Sequence, residues 1–126
     1  MQHIYKRILF NKFDIKTMEA ENSNRAAVYY NDIKAGILTR KEKVYVFEYD
    51  TEYRNAASAR PISLTMPLVE KKFVSERLFP FFDNLLPEGF LLEVTVSKLK
   101  IDKNDRFRLL INVGADVSGA VTVVPI

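Results

Sequence analysis

The segment from Ala26 to Asp50 constrains the fold most, because it has the pattern of successive β-strands joined by tight turns. The stretches AAVYYN and KAGILTR flank Asn31 and Asp32, two residues that tolerate the left-handed backbone of a tight turn. The next stretch, KVYVFEYD, is rich in β-branched and aromatic residues. Its side chains divide between two faces, with Val44, Val46 and Glu48 on one and Tyr45, Phe47 and Tyr49 on the other. The pattern predicts a hairpin followed by a third antiparallel strand.

A fourth strand is predicted in the stretch PISLTMPL, from Pro61 to Leu68. Its residues alternate between apolar and hydroxyl side chains, with Ile62, Leu64 and Met66 against Ser63 and Thr65. Proline removes a backbone donor and is confined to strand ends and edges, so the prolines limit both ends. We therefore expect a short strand at an edge or a crossing of the sheet.

The chain then changes to a helical pattern in the run FPFFDNLLPEG. Four apolar residues fall on one stripe of a helix, namely Phe81, Phe82, Leu85 and Leu86. Asp83 and Asn84 point the other way, Pro80 suits the first turn, and Pro87 ends the helix. A second helix is predicted from Glu88 to Leu99.

A third helix and a last strand complete the pattern. Asn104 or Asp102 is the predicted N-cap of the helix, and Gly114 lies just beyond its end. Its apolar face carries Phe107, Leu110 and Ile111. The final stretch GAVTVVPI is predicted to be a strand. The predicted fold class is therefore α+β: a small antiparallel β-sheet or partial barrel, followed by about three helices and a closing C-terminal strand.

The chain of 126 residues is in the range of a single domain, which we assign to residues 25–126. Residues 1–24 are assigned to an N-terminal extension, in which Ile4, Ile8 and Leu9 are placed as in a short amphipathic turn. Two interpretations of this extension stay open. The first is that it has no role, as a mobile tail or the result of an upstream start codon, and the second is that it becomes ordered on a partner.

Composition excludes several classes of site. The chain has no cysteine and a single histidine, His3, so it has no disulfide framework or thiolate metal site, and we expect no metal or cofactor. Charged residues interrupt every apolar run at the N-terminus, which is unlike a signal peptide, and no run reaches transmembrane length. These features indicate a cytoplasmic protein of bacterial type. The net charge of +3 is mild and spread along the chain.

Four ordered blocks resemble the N-terminal segment of HipA-family toxin kinases. VYYNDIKAGILT is similar to the opening hairpin of the family, whose second strand carries a glycine and an apolar residue, here Gly36 and Ile37. RPISLTMPL is similar to its proline-bounded strand, and FFDNLLPEG is the most specific block. FRLLINVGADVSGAV fits the family pattern of helix, glycine, aspartate and closing strand. The resemblance covers the chain from about Ala26 to Ile126.

We interpret the motif residues as chiefly structural. They are Phe81, Phe82, Asn84, Leu85, Leu86, Pro87, Gly114, Asp116 and Gly119. Gly114 and Gly119 are expected to permit positive φ or a close backbone approach, and Asp116 to accept hydrogen bonds from N–H groups of its turn. The alternative is that GADVSGA cradles an anion or phosphate. This alternative has little support, because the stretch lacks the lysine and the strand–loop–helix context of a Walker motif.

No catalytic residues are predicted. In the kinases that the chain resembles, the ATP site, magnesium ligands and catalytic aspartate lie in the longer region that follows this segment, and phosphoryl transfer needs all of them in one cleft. Two pairs of carboxylates, Glu88 with Glu93 and Asp102 with Asp105, are better explained as surface charge. We therefore expect a protein that acts by binding and is not an enzyme.

Three functions stay open from the sequence. The resemblance in extent and content to HipS implies an antitoxin of a three-gene HipBST module, which binds and neutralises a separate HipT-type serine/threonine kinase. A HipB-like DNA-binding protein is a possible third component of such a complex. The alternatives are an N-terminal fragment of a conventional HipA-type kinase and, with less support, a weak nucleic-acid-binding module.

Two candidate partner-binding surfaces follow from the residues. The segment VEKKFVSERLF carries Phe73 among charged neighbours that include Lys71 and Lys72, and an exposed aromatic side chain is a good interface anchor. The simpler interpretation is that Phe73 covers the edge of the core. The loop TEYRNAASARP supplies residue types that interfaces favour, namely Tyr53, Arg54 and Arg60. Here a plain solvent-exposed connection is the alternative.

Overall fold

The structure, a computed structural model, describes residues 23–117 and 119–126. The amphipathic turn predicted near Ile4 and Leu9, and most of the predicted extension, lie outside the described residues. The elements in chain order are β1 (Arg25–Tyr30), β2 (Ile33–Lys41), β3 (Val44–Tyr49), α1 (Thr51–Asn55), β4 (Lys72–Ser75), α2 (Pro80–Asp83), α3 (Gly89–Leu99), α4 (Arg106–Val113) and β5 (Val121–Pro125).

The five strands form one antiparallel sheet in the order β4-β3-β2-β1-β5. The last strand of the chain pairs with the first, from Ala26 opposite Pro125 to Tyr30 opposite Val121. The predicted α+β fold with a closing C-terminal strand is therefore confirmed. The sheet is open and not closed into a barrel, so β4 and β5 are its two edges.

The β1–β2 hairpin forms for the local reason that the sequence indicated. Asn31 and Asp32 have φ angles of 48° and 68°, the left-handed values that a two-residue hairpin turn requires. The N–H of Asn31 donates a hydrogen bond of 2.8 Å to the carbonyl of Ala120, next to the start of β5. A β-bulge between Val28 and Tyr29 shifts the register of the two strands.

The hydrophobic core lies between one face of this sheet and the helices. Phe47 and Tyr49 of β3 are buried on the predicted face, while Glu48 on the other face is exposed. The buried residues of α4 that complete the core are Phe107, Leu109, Leu110, Ile111 and Val113. Phe82 of α2 packs against Phe47, with the ring centroids 5.8 Å apart.

Helix α4 is fixed at both ends. Asp105 is the N-cap, so the predicted caps Asn104 and Asp102 are wrong. Its carboxylate accepts the N–H of Arg108 and, at 3.1 Å, the guanidinium of Arg40 from β2. At the other end Gly114 has φ of −62°, and a Cβ on it would lie 2.6 Å from the carbonyl oxygen of Val123.

The two motif glycines thus serve different purposes. Gly114 allows the close approach of helix and strand, whereas Gly119 adopts a φ of 114° that favours glycine. Close backbone approach and positive φ are the two roles that the sequence predicted for these glycines.

The stretch PISLTMPL is not a strand, which corrects the prediction for Pro61 to Leu68. In a strand Ile62, Leu64 and Met66 would share one face. Instead Ile62 and Met66 are buried, and Leu64 between them is 96% exposed. The backbone turns here because its polar groups bond to the side chain of Tyr49 and to neighbouring residues, not to a strand. The fourth strand is instead Lys72–Ser75, within the segment VEKKFVSERLF that the sequence offered as a partner-binding surface.

The helices differ from the prediction in extent. Helix α2 ends at Asp83, well before Pro87, although Phe82 and Leu86 of the predicted stripe are buried. Helix α3 forms over Gly89–Leu99 despite its β-branched run, and the hydroxyl of Thr95 donates to the carbonyl of Leu91 at 2.7 Å. Helix α1 occupies part of a segment that was predicted to be a loop.

Candidate partner-binding surface

Residues 61–70, which we call the anchored loop, are held to the sheet by the hydroxyl of Tyr49. This hydroxyl donates a hydrogen bond of 2.5 Å to the carbonyl of Met66 and accepts one of 3.0 Å from the N–H of Ile62. The ring is buried, and burial raises the pKa of Tyr49 above its ordinary value, although the hydrogen bond from Ile62 acts in the opposite direction. One buried side chain therefore fixes the loop at two points.

Two residues of α1 fix the ends of the same loop. The hydroxyl of Tyr53 donates to the carbonyl of Arg60 at 2.6 Å. The guanidinium of Arg54 donates through Nε to the carbonyl of Leu68 at 2.6 Å and through Nη2 to that of Val69 at 2.7 Å. Tyr53 and Arg54, predicted as partner-binding residues of an open loop, thus lie on a helix and hold the anchored loop.

Large apolar side chains project from this fixed backbone. Of the five that are exposed among the residues that the structure describes, three lie between positions 64 and 74: Leu64 at 96%, Val69 at 78% and Val74 at 61%. Three exposed apolar side chains within so short a stretch of sequence make it the candidate interaction surface. Because the loop is already held in place, binding would cost little ordering entropy.

Phe73 lies on strand β4, not on a loop. Its ring is half-buried and contacts Phe47 at a centroid distance of 6.4 Å and Tyr49 at 6.2 Å. These contacts agree with the interpretation that Phe73 covers the edge of the core. A direct contact of Phe73 with a partner stays a prediction.

The basic residues predicted for the surface have different surroundings. The ammonium of Lys71 donates to the hydroxyl of Thr51 at 2.8 Å and lies 3.8 Å from the carboxylate of Glu48. Lys72 and Arg60 are exposed, and neither makes an ion pair with a residue in the described part of the chain.

An open groove of about 600 Å³ runs beside β4. Its apolar lining comes from the anchored loop, from β4 and from the segment that leads into α2, and consists of Met66, Phe73, Val74, Phe79 and Phe81. The polar residues at the groove include Thr65, Lys72 and Asn84. The groove thus joins the anchored loop, β4 and part of the FFDNLLPEG motif in one surface.

An ion pair at Asp83, within the FFDNLLPEG block, connects two of the helices. The guanidinium of Arg106 donates to the carboxylate of Asp83 at 2.6 Å, which connects α4 to α2. Asp116 is buried in the turn before β5.

Of the carboxylates considered for catalysis, Glu93 lies 3.9 Å from the ammonium of Lys103 on the surface. No cluster of His, Asp and Glu suited to a metal ion occurs among residues 23–117 and 119–126.

The family model of the HipA N-terminal domain matches residues 26–124. The chain belongs to the HipA N-terminal domain family. Membership of this family relates the chain to HipA-type toxin–antitoxin systems. The matched model is that of the N-terminal domain and not that of the kinase domain.

Two relatives place the chain within this family. It is 35% identical over 88 residues to a protein of Haemophilus influenzae, an alignment that covers 70% of this chain and 79% of that protein. It is also 35% identical over 68 residues to the serine/threonine-protein kinase toxin HipA of Shewanella oneidensis, which covers 54% of this chain but 16% of the kinase. The family domain therefore occurs both in a small protein, little longer than the alignment, and within a much larger kinase.

A solved structure shows the same fold. The N-terminal domain of a HipA toxin superposes with a TM-score of 0.65 at 28% sequence identity, covering 81% of this chain and 92% of that domain.

None of the helices in the part of this chain that the structure describes is long and apolar enough to cross a membrane.

Sequence reasoning pointed to two segments that overlap the ends of the anchored loop, the second of which begins at Val69, but it missed Leu64 as a surface residue. Leu64 had been assigned to one face of a strand together with Ile62 and Met66. Its exposure depends on the hydroxyl of Tyr49, which is distant in sequence, so no local signal was available to find it.

Proposed function

We propose that this protein is a HipS-like antitoxin that binds and neutralises a HipT-type serine/threonine kinase in the cytoplasm, without catalysis of its own. The observation that carries the proposal is the anchored loop, which presents Leu64 and Val69 to solvent from a backbone fixed by Tyr49, Tyr53 and Arg54. The relative from Haemophilus influenzae supports it, because the alignment with this chain covers 79% of that protein and leaves little room there for a kinase domain.

Binding is a sufficient mechanism for such an antitoxin. A domain that packs against a kinase keeps a complementary surface when it is made as a separate chain, and rebinding inhibits with no new chemistry. A rigid loop with exposed apolar side chains loses little conformational entropy on association. A HipB-like DNA-binding protein is proposed as the third component, which would supply contact with DNA.

Within this surface we assign different roles to the predicted partner-binding residues. Tyr53 and Arg54 act by holding the anchored loop, and Phe73 acts by shaping the groove. Lys72 and Arg60 are exposed and contact the kinase directly. The ammonium of Lys71 supports the backbone between the loop and β4.

The proposal is tested by producing a HipT-type kinase, encoded next to the gene for this chain, together with the chain in a bacterial host. We expect the chain to restore growth and to co-purify with the kinase. The double variant Leu64→Ser with Val69→Ser is expected to lose both effects while its unfolding temperature stays near that of the unchanged protein, because exposed side chains contribute little to stability.

Ile126→Ser is the control, since Ile126 is also an exposed apolar residue (57%) and it follows β5, at the opposite edge of the sheet from β4. It is expected to neutralise normally. If the kinase stays equally toxic with and without the unchanged chain, the antitoxin proposal is wrong. If the double variant neutralises as well as Ile126→Ser, the surface has been assigned incorrectly.

The alternative of a fragment of a conventional kinase is favoured by one observation, the match to the larger kinase of Shewanella oneidensis. The DNA that follows the coding region distinguishes the two. An in-frame kinase sequence favours the fragment, and a separate kinase gene favours the antitoxin.

A nucleic-acid-binding function has less support. Phosphate binding needs clustered and available basic groups. Arg40 instead pairs with Asp105 and lies over the ring of Phe107, and Lys71 lies beside Glu48.

A further inference from the structure

The two edges of the sheet differ in how many backbone groups they leave open. At β5 the N–H of Val123 donates to the carbonyl of Gly114 at 2.9 Å, and Pro125 has no N–H to offer. At the β5 edge the chain itself therefore occupies one outward N–H, and proline removes another. At β4 no further strand follows in the sheet.

The pairing of β4 with β3 determines which backbone N–H and C=O groups of β4 point outward from the sheet. The N–H of Tyr49 donates to the carbonyl of Lys71 at 2.9 Å, and Phe73 lies opposite Phe47. Because backbone groups of an antiparallel strand point alternately to either side, Lys71, Phe73 and Ser75 bond to β3. The N–H and C=O groups of Lys72 and Val74 therefore point outward from the sheet.

Three further features favour an added strand at this edge. The groove beside β4 is lined by Phe73, Phe79 and Phe81, on the side where the helices pack. The side chain of Val74 is 61% exposed, and the ammonium of Lys72 has no ion-pair partner in the part of the chain that the structure describes. Backbone groups, an apolar groove and an unpaired charge are the elements of recognition by strand addition.

We propose that an extended segment of the partner kinase pairs with β4 as a further strand of the sheet, an inference that rests on the proposed antitoxin function. Side chains of the added strand alternate between the two faces. The residue opposite Phe73 is therefore apolar and enters the groove. Its neighbour opposite Lys72 is acidic and pairs with the ammonium group.

A second copy of this chain fits the edge poorly in either antiparallel register. If the pairing is centred on Phe73, Glu70 of each copy faces Glu76 of the other, and like charges directly opposite are destabilising. If it is centred on Val74, Glu76 lies opposite Lys72, which is a favourable pair. Ser75, however, then lies opposite Phe73, and a small polar side chain leaves the apolar groove unfilled. A segment of different sequence satisfies both positions.

Val74→Pro and Val74→Ala form the matched pair that tests the proposal. Proline at position 74 removes an outward N–H and leaves the bonds between β4 and β3 in place, whereas alanine shortens the side chain but keeps the N–H. With the full chain and a catalytically inactive HipT-type kinase, we expect Val74→Pro to weaken binding roughly tenfold or more relative to Val74→Ala, measured by titration calorimetry.

Hydrogen exchange of the unchanged protein gives a second measurement that needs no variant. The amides of Lys72 and Val74 are expected to exchange fast in the free chain and to become protected in the complex. The amide of Phe73, which bonds to β3, is expected to be protected in both. This measurement decides the matter if Val74→Pro does not fold.

Different results overturn different statements. Equal binding of Val74→Pro and Val74→Ala, with Lys72 and Val74 still exchanging fast in the complex, would overturn strand addition and leave kinase binding intact. A kinase that does not bind the unchanged chain would overturn the proposed function, and strand addition with it. A dimer of the free chain that Val74→Pro abolishes would assign the edge to a second copy instead.

Discussion

Replacing Tyr49 by phenylalanine removes one oxygen atom and with it both hydrogen bonds at the centre of the anchored loop. The carbonyl of Met66 loses a donor and the N–H of Ile62 loses an acceptor. Met66 and Ile62 are both buried, at 2% and 4% exposure, so water does not readily replace the lost partner. Tyr49→Phe therefore tests whether this hydroxyl holds the loop.

The expected effect can be worked out from these two contacts. A buried donor or acceptor that is left without a partner costs about 1–3 kcal/mol, so the two together are expected to lower the free energy of unfolding by about 2–6 kcal/mol. At about 3–6 °C per kcal/mol for a domain of this size, that corresponds to a fall in unfolding temperature of roughly 6–35 °C. This is a large part of the total stability of an ordinary domain, which is about 5–15 kcal/mol.

Tyr45→Phe is the matched control, because Tyr45 lies on the same strand and the same face. Its hydroxyl makes no hydrogen bond with any residue in the part of the chain that the structure describes. Urea unfolding followed by circular dichroism gives the free energies of both variants. A loss for Tyr49→Phe that does not exceed the loss for Tyr45→Phe by at least about 1 kcal/mol would refute the role of the hydroxyl bonds.

Two further predictions concern the same molecule. Because burial raises the pKa of Tyr49 above its ordinary value of 10.0, the unfolded chain loses that proton first. The contribution of Tyr49 to stability is therefore complete below pH 10 and is lost as the pH rises through the folded-state pKa. Unfolding titrations from pH 8 to 11.5 should therefore show that the free energy of unfolding falls less for Tyr49→Phe than for the unchanged protein. Gly114→Ala places a Cβ 2.6 Å from the carbonyl oxygen of Val123 and is expected to cost about 2–3 kcal/mol. Gly89→Ala meets no atom within 4 Å, and its positive φ is expected to cost about 1 kcal/mol; equal thermal shifts for the two glycine variants would contradict the close approach at Gly114.

Much of the sheet could be predicted because its signals are local. The Asn31–Asp32 turn determines the β1–β2 hairpin, and the alternation of β3 places Phe47 and Tyr49 on the buried face. The C-terminal strand and the glycine after α4 were likewise read from neighbouring residues. In these places the intrinsic preference of the residues and the tertiary fold agree.

The candidate site was predicted only in part, because it depends on contacts between segments that are distant in sequence. The alternation in PISLTMPL is that of a strand, yet Tyr49 turns Ile62 and Met66 inward and leaves Leu64 in solvent. In the same way, Phe73 has charged neighbours in sequence but aromatic neighbours in space.

The amino-acid sequence by itself determined the hairpin, the third strand, the helical second half, the closing strand and the family, since each is written in the spacing and type of adjacent residues. The tertiary structure alone decided which strand is the open edge and which apolar side chains face solvent. The reason is physical: exposure and the partners of backbone groups depend on what packs against a segment, and that is set by the whole fold.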